Sequence, residues 1–169
     1  MLIIAAILAA VSGMIVWIYW PELIGAGWSP TPMENVRKML EMADVKKDDL
    51  VYDLGCGDGR IIAVAAAEFG ARAVGIEADP LRFLLSWMRI KLRGLGRQVK
   101  VVWGDFFNHD LSDATVVCVF LSHKANSRLK RKLERELTPG TRIVSYYWTF
   151  SEWKAVKIDP SSNLYLYRI

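Results

Sequence analysis

Two cysteines and two histidines are all that this 169-residue chain carries of the soft metal ligands. Neither Cys56 nor Cys118 has a Cys or His neighbour at ligand spacing, so no metal site and no disulfide framework is expected. Both cysteines read as small buried residues in a reducing compartment. Charge is missing altogether from Met1 to Pro21. Acidic residues are missing between Asp79 and Asp105, a stretch that holds Arg82, Arg89, Lys91, Arg93, Arg97 and Lys100. Internal repeats and low-complexity segments are lacking too. So is a Gly-Lys-Ser/Thr sequence, without which a glycine loop is not a P-loop.

The uncharged start, MLIIAAILAAVSGMIVWIYW, can span about 30 Å as a helix. Trp17, Tyr19 and Trp20 gather at its far end, as an interfacial aromatic belt would. A secretory signal would carry a basic start and an apolar core of about 7–15 residues; no Lys or Arg precedes this run, and the run is longer. The expectation is a retained transmembrane anchor over residues 1–20, with a cleaved signal or a buried core helix as the alternatives. Arg37, Lys38, Lys46 and Lys47 follow the run, so the positive-inside tendency places the remainder in the cytoplasm or an equivalent interior compartment. The Pro- and Gly-containing stretch 21–30 reads as a linker, and 31–169 as one domain.

Net charge is +4. Lys124, Arg128, Lys130, Arg131, Lys132 and Arg135 form a second basic cluster. Such patches suit anionic lipid headgroups or nucleic acid, a solvated helix face being the plain alternative. Beside an anchor, lipid ranks ahead of nucleic acid.

From residue 31 onward the pattern is regular. Thr31 can cap a helix that starts with Pro32, with Glu34 completing a capping box. Met33, Val36, Leu40 and Ala43 fall on one face of that helix. Strand and helix signals then alternate: LVYDL, GRIIAVAAAEFG, RAVGIEA, PLRFLLSWMRIKLRGLG, VKVVWGD, ATVVCVFL, NSRLKRKLERELTPG, TRIVSYYW. This alternation predicts a mostly parallel sheet with helices on both faces, an α/β fold of Rossmann-like kind. EWKAVKI and NLYLYRI, joined by DPSS, are too close for a crossover and predict a C-terminal antiparallel hairpin.

The stretch VYDLGCGDGR (51–60) runs from a strand into glycines at 55, 57 and 59. A dinucleotide fingerprint would be G-x-G-x-x-G; here Arg60 stands where the third glycine belongs. Asp53, at the strand end, is poor company for a pyrophosphate and good company for an ammonium or sulfonium. Glu77, in GIEADP, falls where an acid accepts from both ribose hydroxyls. Asp105, in WGDFF, can accept from an adenine amino group while Phe106 packs on the ring. Ligands of open α/β sheets bind at the carboxyl ends of strands. One ligand with amino-acid, ribose and adenine parts fits all three acids: S-adenosylmethionine.

DLGCGDG resembles motif I of the class I, seven-strand methyltransferases. EADP and GDFF resemble their second and third motifs, and LTPGTRIVS the approach to their fifth strand. The similarity covers about Ser29 to Ile169. More narrowly, PTPMENVRKMLEMADVKKDDLVYDLGCGDGRIIAVAA, with ATVVCVFL and LERELTPGTRIVS, is similar to the small archaeal protein-lysine methyltransferases. Their mitochondrial relatives share the layout and an N-terminal membrane segment. The resemblance implies a seven-stranded sheet, a minimal catalytic domain and a Pro-Thr-Pro segment (30–32) that closes over the cofactor. Thr31, Asp53, Gly55, Cys56, Gly57, Gly59, Glu77, Ala78, Asp105 and Phe106 are the expected cofactor residues.

The acceptor's mouth is expected after strands four and five, in FLSHKAN (120–126) and SYYW (145–148). Tyr146 and Tyr147 are candidates to hold an amine, and His123 to remove a proton; sheet packing and an ordinary loop histidine are the alternatives. LSHK stands where adenine, cytosine and glutamine methylases carry Asp/Asn-Pro-Pro-Tyr/Phe, which argues against those acceptors. The expected function is a membrane-anchored protein-lysine methyltransferase with a protein substrate at or near the membrane. Lipid or quinone methylation and a non-catalytic cofactor-binding module are its rivals, with RNA a weaker third.

Overall fold

The computed structural model describes residues 29–169 together with Ile4, Ser12 and Gly13. Helix α1 (Met33–Met42) is followed by β1 (Leu50–Leu54), α2 (Arg60–Phe69), β2 (Arg72–Glu77), α3 (Pro80–Leu92) and β3 (Val99–Trp103). A 3-10 turn (Phe106–Asn108) leads to β4 (Val116–Val119), α4 (His123–Glu136), β5 (Arg142–Tyr146), β6 (Lys157–Asp159) and β7 (Leu164–Arg168). The seven strands form one sheet in the order β3-β2-β1-β4-β5-β7-β6. Strands β1 to β5 pair in parallel, and β7 enters antiparallel between β5 and β6.

Side-chain alternation along the strands builds two cores. Val51, Val116, Cys118 and Val144 face one side, where Val36, Met39 and Leu40 of α1 and Ile61 and Ile62 of α2 cover them. Tyr52, Leu54, Val117, Val119 and Ile143 face the other, under Leu129 and Leu133 of α4. Helix α2 is buried over Ile61–Ala66. Its run of alanines lets it lie close on the sheet, and Gly75 opposite has no room for a side chain: a Cβ there would lie 2.6 Å from Ile62 and 2.7 Å from the Cys56 sulfur.

Four expectations are corrected. The first is the transmembrane helix ahead of the α/β fold. Residues 1–20, apart from Ile4, Ser12 and Gly13, lie outside the described residues, and among the described residues no helix is long and apolar enough to cross a membrane. That finding overturns the single-pass assignment and the localisation drawn from it. An apolar run of sufficient length is a necessary condition for a spanning helix, not a sufficient one. The second is the capping box. Pro32, with φ −54° and ψ 141°, is itself the cap of α1, without a side-chain hydrogen bond, and Glu34 pairs with Lys38 at 2.7 Å instead. The third is the strand TRIVSYYW, which stops at Tyr146 because Tyr147 turns to φ 69°. The fourth is EWKAVKI, which is extended only over 157–159. Trp153 packs instead against Phe150 and Tyr167, with ring centroids at 4.8 and 5.7 Å.

Candidate active site

The carboxyl ends of β1 to β4 surround a cavity of about 600 Å³, a size suited to a nucleoside-like ligand. Asp53 stands in β1 beside Gly75 of β2 and Cys118 of β4. After Leu54 the chain turns through Gly55, Gly57 and Gly59 at φ 80°, 55° and 76°. Gly59 starts α2 by packing on α3: a Cβ there would lie 2.2 Å from the Ser86 oxygen, so only glycine fits.

The hydrogen bonds of this loop decide what it can hold. Gly55 N–H and Cys56 N–H both donate to the Ile76 carbonyl, at 2.9 and 3.0 Å. Gly57 N–H donates to Glu77 Oε2 at 2.8 Å. Three amides that a phosphate-binding loop would turn towards an anion are thus used within the protein. The glycines supply tight turning, not an anion nest.

Acids dominate the strand ends. Asp53 is 3% exposed and has no hydrogen-bond or ion-pair partner among the described residues. Burial, reinforced by the charges of Glu77 and Asp58, pushes its carboxyl up to about 8. Glu77 is 6% exposed. Its Oε1 accepts from Asp79 N–H at 2.9 Å, which fixes the carboxylate while each oxygen keeps a further lone pair for a ligand. Asp105 caps the 3-10 turn by accepting from Phe107 N–H at 2.9 Å.

Arg60 ties the entry segment to the loop. It grips Asp58 with Nε and Nη2, at 2.9 and 2.7 Å, and donates from Nη1 to the Thr31 carbonyl at 2.8 Å. Arg89 of α3 adds a third bond to Asp58 at 2.7 Å. Burial opposes ionisation of Asp58, but the Arg60 hydrogen bonds and the Arg89 charge outweigh it and hold its pKa below the usual value. Ser29, Pro30 and Thr31 thereby form part of the cavity wall.

Of the expected cofactor residues, Thr31, Asp53, Gly55, Cys56, Gly57, Glu77, Ala78, Asp105 and Phe106 line this one cavity. Gly59 does not; its part is the close approach to α3. The three expected acceptor-side residues are not among the lining residues. Tyr146 stands one layer back, its ring 4.5 Å from that of Phe120, which does line the cavity. Tyr147 is 53% exposed. His123 is exposed at the first turn of α4, with Nε2 3.4 Å from Ser151 Oγ. The turn after β5 is held from inside by buried Asn126, whose Nδ2 donates to the Trp148 carbonyl at 3.0 Å.

Sequence reasoning did not single out Arg60, Phe107, Phe120, Ser122, Lys124 or Arg128 as cavity residues, although Lys124 and Arg128 stood in the second basic cluster. Arg60 drew notice only as a departure from the dinucleotide pattern; its proximity to Asp58 in the same turn was the available signal. Phe120, Ser122 and Lys124 fall within FLSHKAN, assigned to the mouth as a block. Arg128 lies 4.5 Å over the Phe107 ring, a pairing between two elements that no local pattern reveals.

An unpaired buried carboxyl, a second fixed acid, a third acid beside an aromatic ring and three loop amides spent within the protein fit S-adenosylmethionine and disfavour a dinucleotide. The sheet order and this site define a class I S-adenosylmethionine-dependent methyltransferase. Comparison with known proteins agrees. Residues 53–157 match the ANTKMT methyltransferase domain, and the chain belongs to that family. It is 45% identical over 147 residues to a protein-lysine N-methyltransferase of Saccharolobus islandicus, covering 83% of this chain and 91% of that one. It is 31% identical over 165 residues to the adenine nucleotide translocase lysine N-methyltransferase of Mus musculus, covering 89% of this chain and 70% of the relative. Against further lysine N-methyltransferases, from human and rat, it spans only 52% and 54% of the relative's length. The crystal structure of an RNA methyltransferase from Salinibacter ruber, in complex with S-adenosyl-L-homocysteine, superimposes with a TM-score of 0.81 at 40% identity, covering 83% of this chain and 94% of that one. The protein is an S-adenosylmethionine-dependent methyltransferase.

Proposed function

We propose that residues 31–169 form a catalytic domain that methylates the side-chain amine of lysine in a protein substrate. The observation that carries this reading is the 45% identity to an archaeal protein-lysine methyltransferase across nearly the whole of that relative, joined to the cavity built by Asp53, Glu77 and Asp105. When bound, the cofactor supplies an electrophilic methyl group. Asp53 holds its ammonium, Glu77 its ribose, and Asp105 with Phe106 its adenine.

An attacking lysine must be neutral, and with a pKa near 10.4 only about one in a thousand is so at pH 7.4. Lys124 and Arg128 at the cavity wall disfavour a second cation, and Phe106, Phe107 and Phe120 remove water. Both effects favour the neutral amine, so positioning and desolvation serve in place of a dedicated base. Tyr146, behind Phe120, sets the position of that wall.

RNA is the second reading. It draws on the name of the Salinibacter relative and on the cations of α4. The test is transfer of a labelled methyl group from S-adenosylmethionine in a cell extract, followed by separation of protein, RNA and lipid. The expected result is label in protein, released as methyl-lysine on hydrolysis. Label confined to RNA or to lipid replaces the lysine reading, and cofactor binding with no label anywhere replaces it with a binding module.

A further inference from the structure

We propose that the outward face of α3 docks on an anionic membrane surface. A surface helix ordinarily buries its apolar side and offers charge to water. Helix α3 leaves most of its apolar residues in water. Its packed side consists of Ser86 and Ile90, with Phe83 half buried beside them. Leu81, Leu84, Leu85, Met88 and Leu92 form one stripe on the opposite side, at spacings of three, four, seven and eleven, and are 43–84% exposed. Trp87, 44% exposed, borders the stripe. Trp103, at the end of the edge strand β3, is 63% exposed and donates from Nε1 to the Ala78 carbonyl just ahead of the helix. An apolar surface this continuous marks an interaction site.

The flanks say what covers it. Lys91 lies on one edge of the stripe, with its ammonium 5.7 Å over the Trp87 ring. Arg93 ends the helix, and Arg97 and Lys100 follow in the chain, with no acid anywhere from 80 to 104; Arg89 is turned to Asp58 and takes no part. A second copy laid face to face would bring these cations together and be repelled. A neutral apolar partner would leave them uncompensated. A bilayer surface with anionic headgroups meets both needs: Leu, Met and Trp enter the acyl boundary and the cations meet the phosphates. No spanning helix is required. Arg82, in the first turn of α3, lines the cavity, so a docked helix holds the active site beside the surface. The inference is independent of which acceptor is methylated.

The test uses the full chain with vesicles of phosphatidylcholine, with and without phosphatidylserine. Lipids brominated along the acyl chain quench a tryptophan that enters the boundary. The expected result is quenching of the emission that Trp87→Phe removes, seen only with phosphatidylserine and lost in high salt. Leu84→Glu with Met88→Glu should lower partitioning about tenfold or more, with cofactor affinity and melting temperature unchanged because both side chains are exposed. Lys91→Glu with Arg97→Glu should abolish the dependence on phosphatidylserine. An unquenched Trp87 overturns the proposal, as does wild-type partitioning by the Leu84/Met88 variant. A variant that turns a dimer into a monomer while vesicle binding persists overturns it in favour of self-association.

Discussion

Asp53 carries the sharpest prediction at the scale of single residues. Burial raises its folded-state pKa to about 8 from an ordinary value of 3.8. The folded, ligand-free protein therefore holds that proton more tightly than the unfolded chain. This group's contribution to stability is greatest below about pH 4, falls as pH rises towards 8, and levels off above it. Urea midpoints measured from pH 5 to 9 check this, and Asp53→Asn should flatten the slope. A cationic ligand needs the ionised carboxyl, so cofactor binding at pH 7 should release a proton, read by calorimetry in buffers of different ionisation heat. Glu77→Ala removes the ligand's acceptor and the anchor of Gly57 N–H together. Cofactor affinity should fall about tenfold or more, and unchanged affinity would refute the ribose assignment. Tyr146→Leu and Tyr147→Leu separate the aromatic turn. Tyr146, packed on Phe120, should affect kcat more than KM, whereas half-exposed Tyr147 should affect KM at most. The opposite order in steady-state kinetics would put the exposed ring at the amine.

At the scale of elements, α2 is the piece on which both core and site depend. It seats the glycine loop at its start and is buried along its length. Ile62 is fully buried, so Ile62→Ala should cost about 2–5 kcal/mol in chemical denaturation. This helix was legible because ten residues rich in alanine, isoleucine and valine between Gly59 and Gly70 have one simple use beside a sheet. The strands were legible for the same kind of reason: period-two alternation is a local property. Their ends were less so. The reversal at Tyr147 depends on Asn126 of α4 holding the next turn, and the shortening of the last hairpin's first strand depends on Trp153 finding Tyr167. Neither Asn126 nor Tyr167 is near in sequence to the residue it holds. The cap of α1 moved for a different reason. Thr31 is buried against the cavity with its carbonyl on Arg60, and so does not serve as a cap.

For the whole molecule, the charge distribution sets an expectation for turnover. Asp53, Glu77 and Asp105 line the cavity at the strand ends, while Lys124 and Arg128 stand on its wall. With no base required, kcat/KM for a lysine acceptor should climb with pH well above neutrality and show no fall-off from a titrating histidine. His123→Ala should leave that profile in place; a profile displaced by the substitution would make His123 the proton acceptor.

The sequence by itself determined the order of elements and the three strand-end acids that line the cavity. Strand-end motifs are local, and a parallel sheet carries them all to one edge. Only the tertiary structure decided which residues complete the cavity. Arg60 reaching Thr31, Arg128 over Phe107, and Tyr146 behind Phe120 each join separate elements, and their proximity follows from sheet order and helix packing. The outward-facing apolar stripe of α3 belongs to the same class. A helical period shows that one face is apolar, but which face meets the sheet is settled by the close fit of Gly59 on Ser86, a contact between two helices.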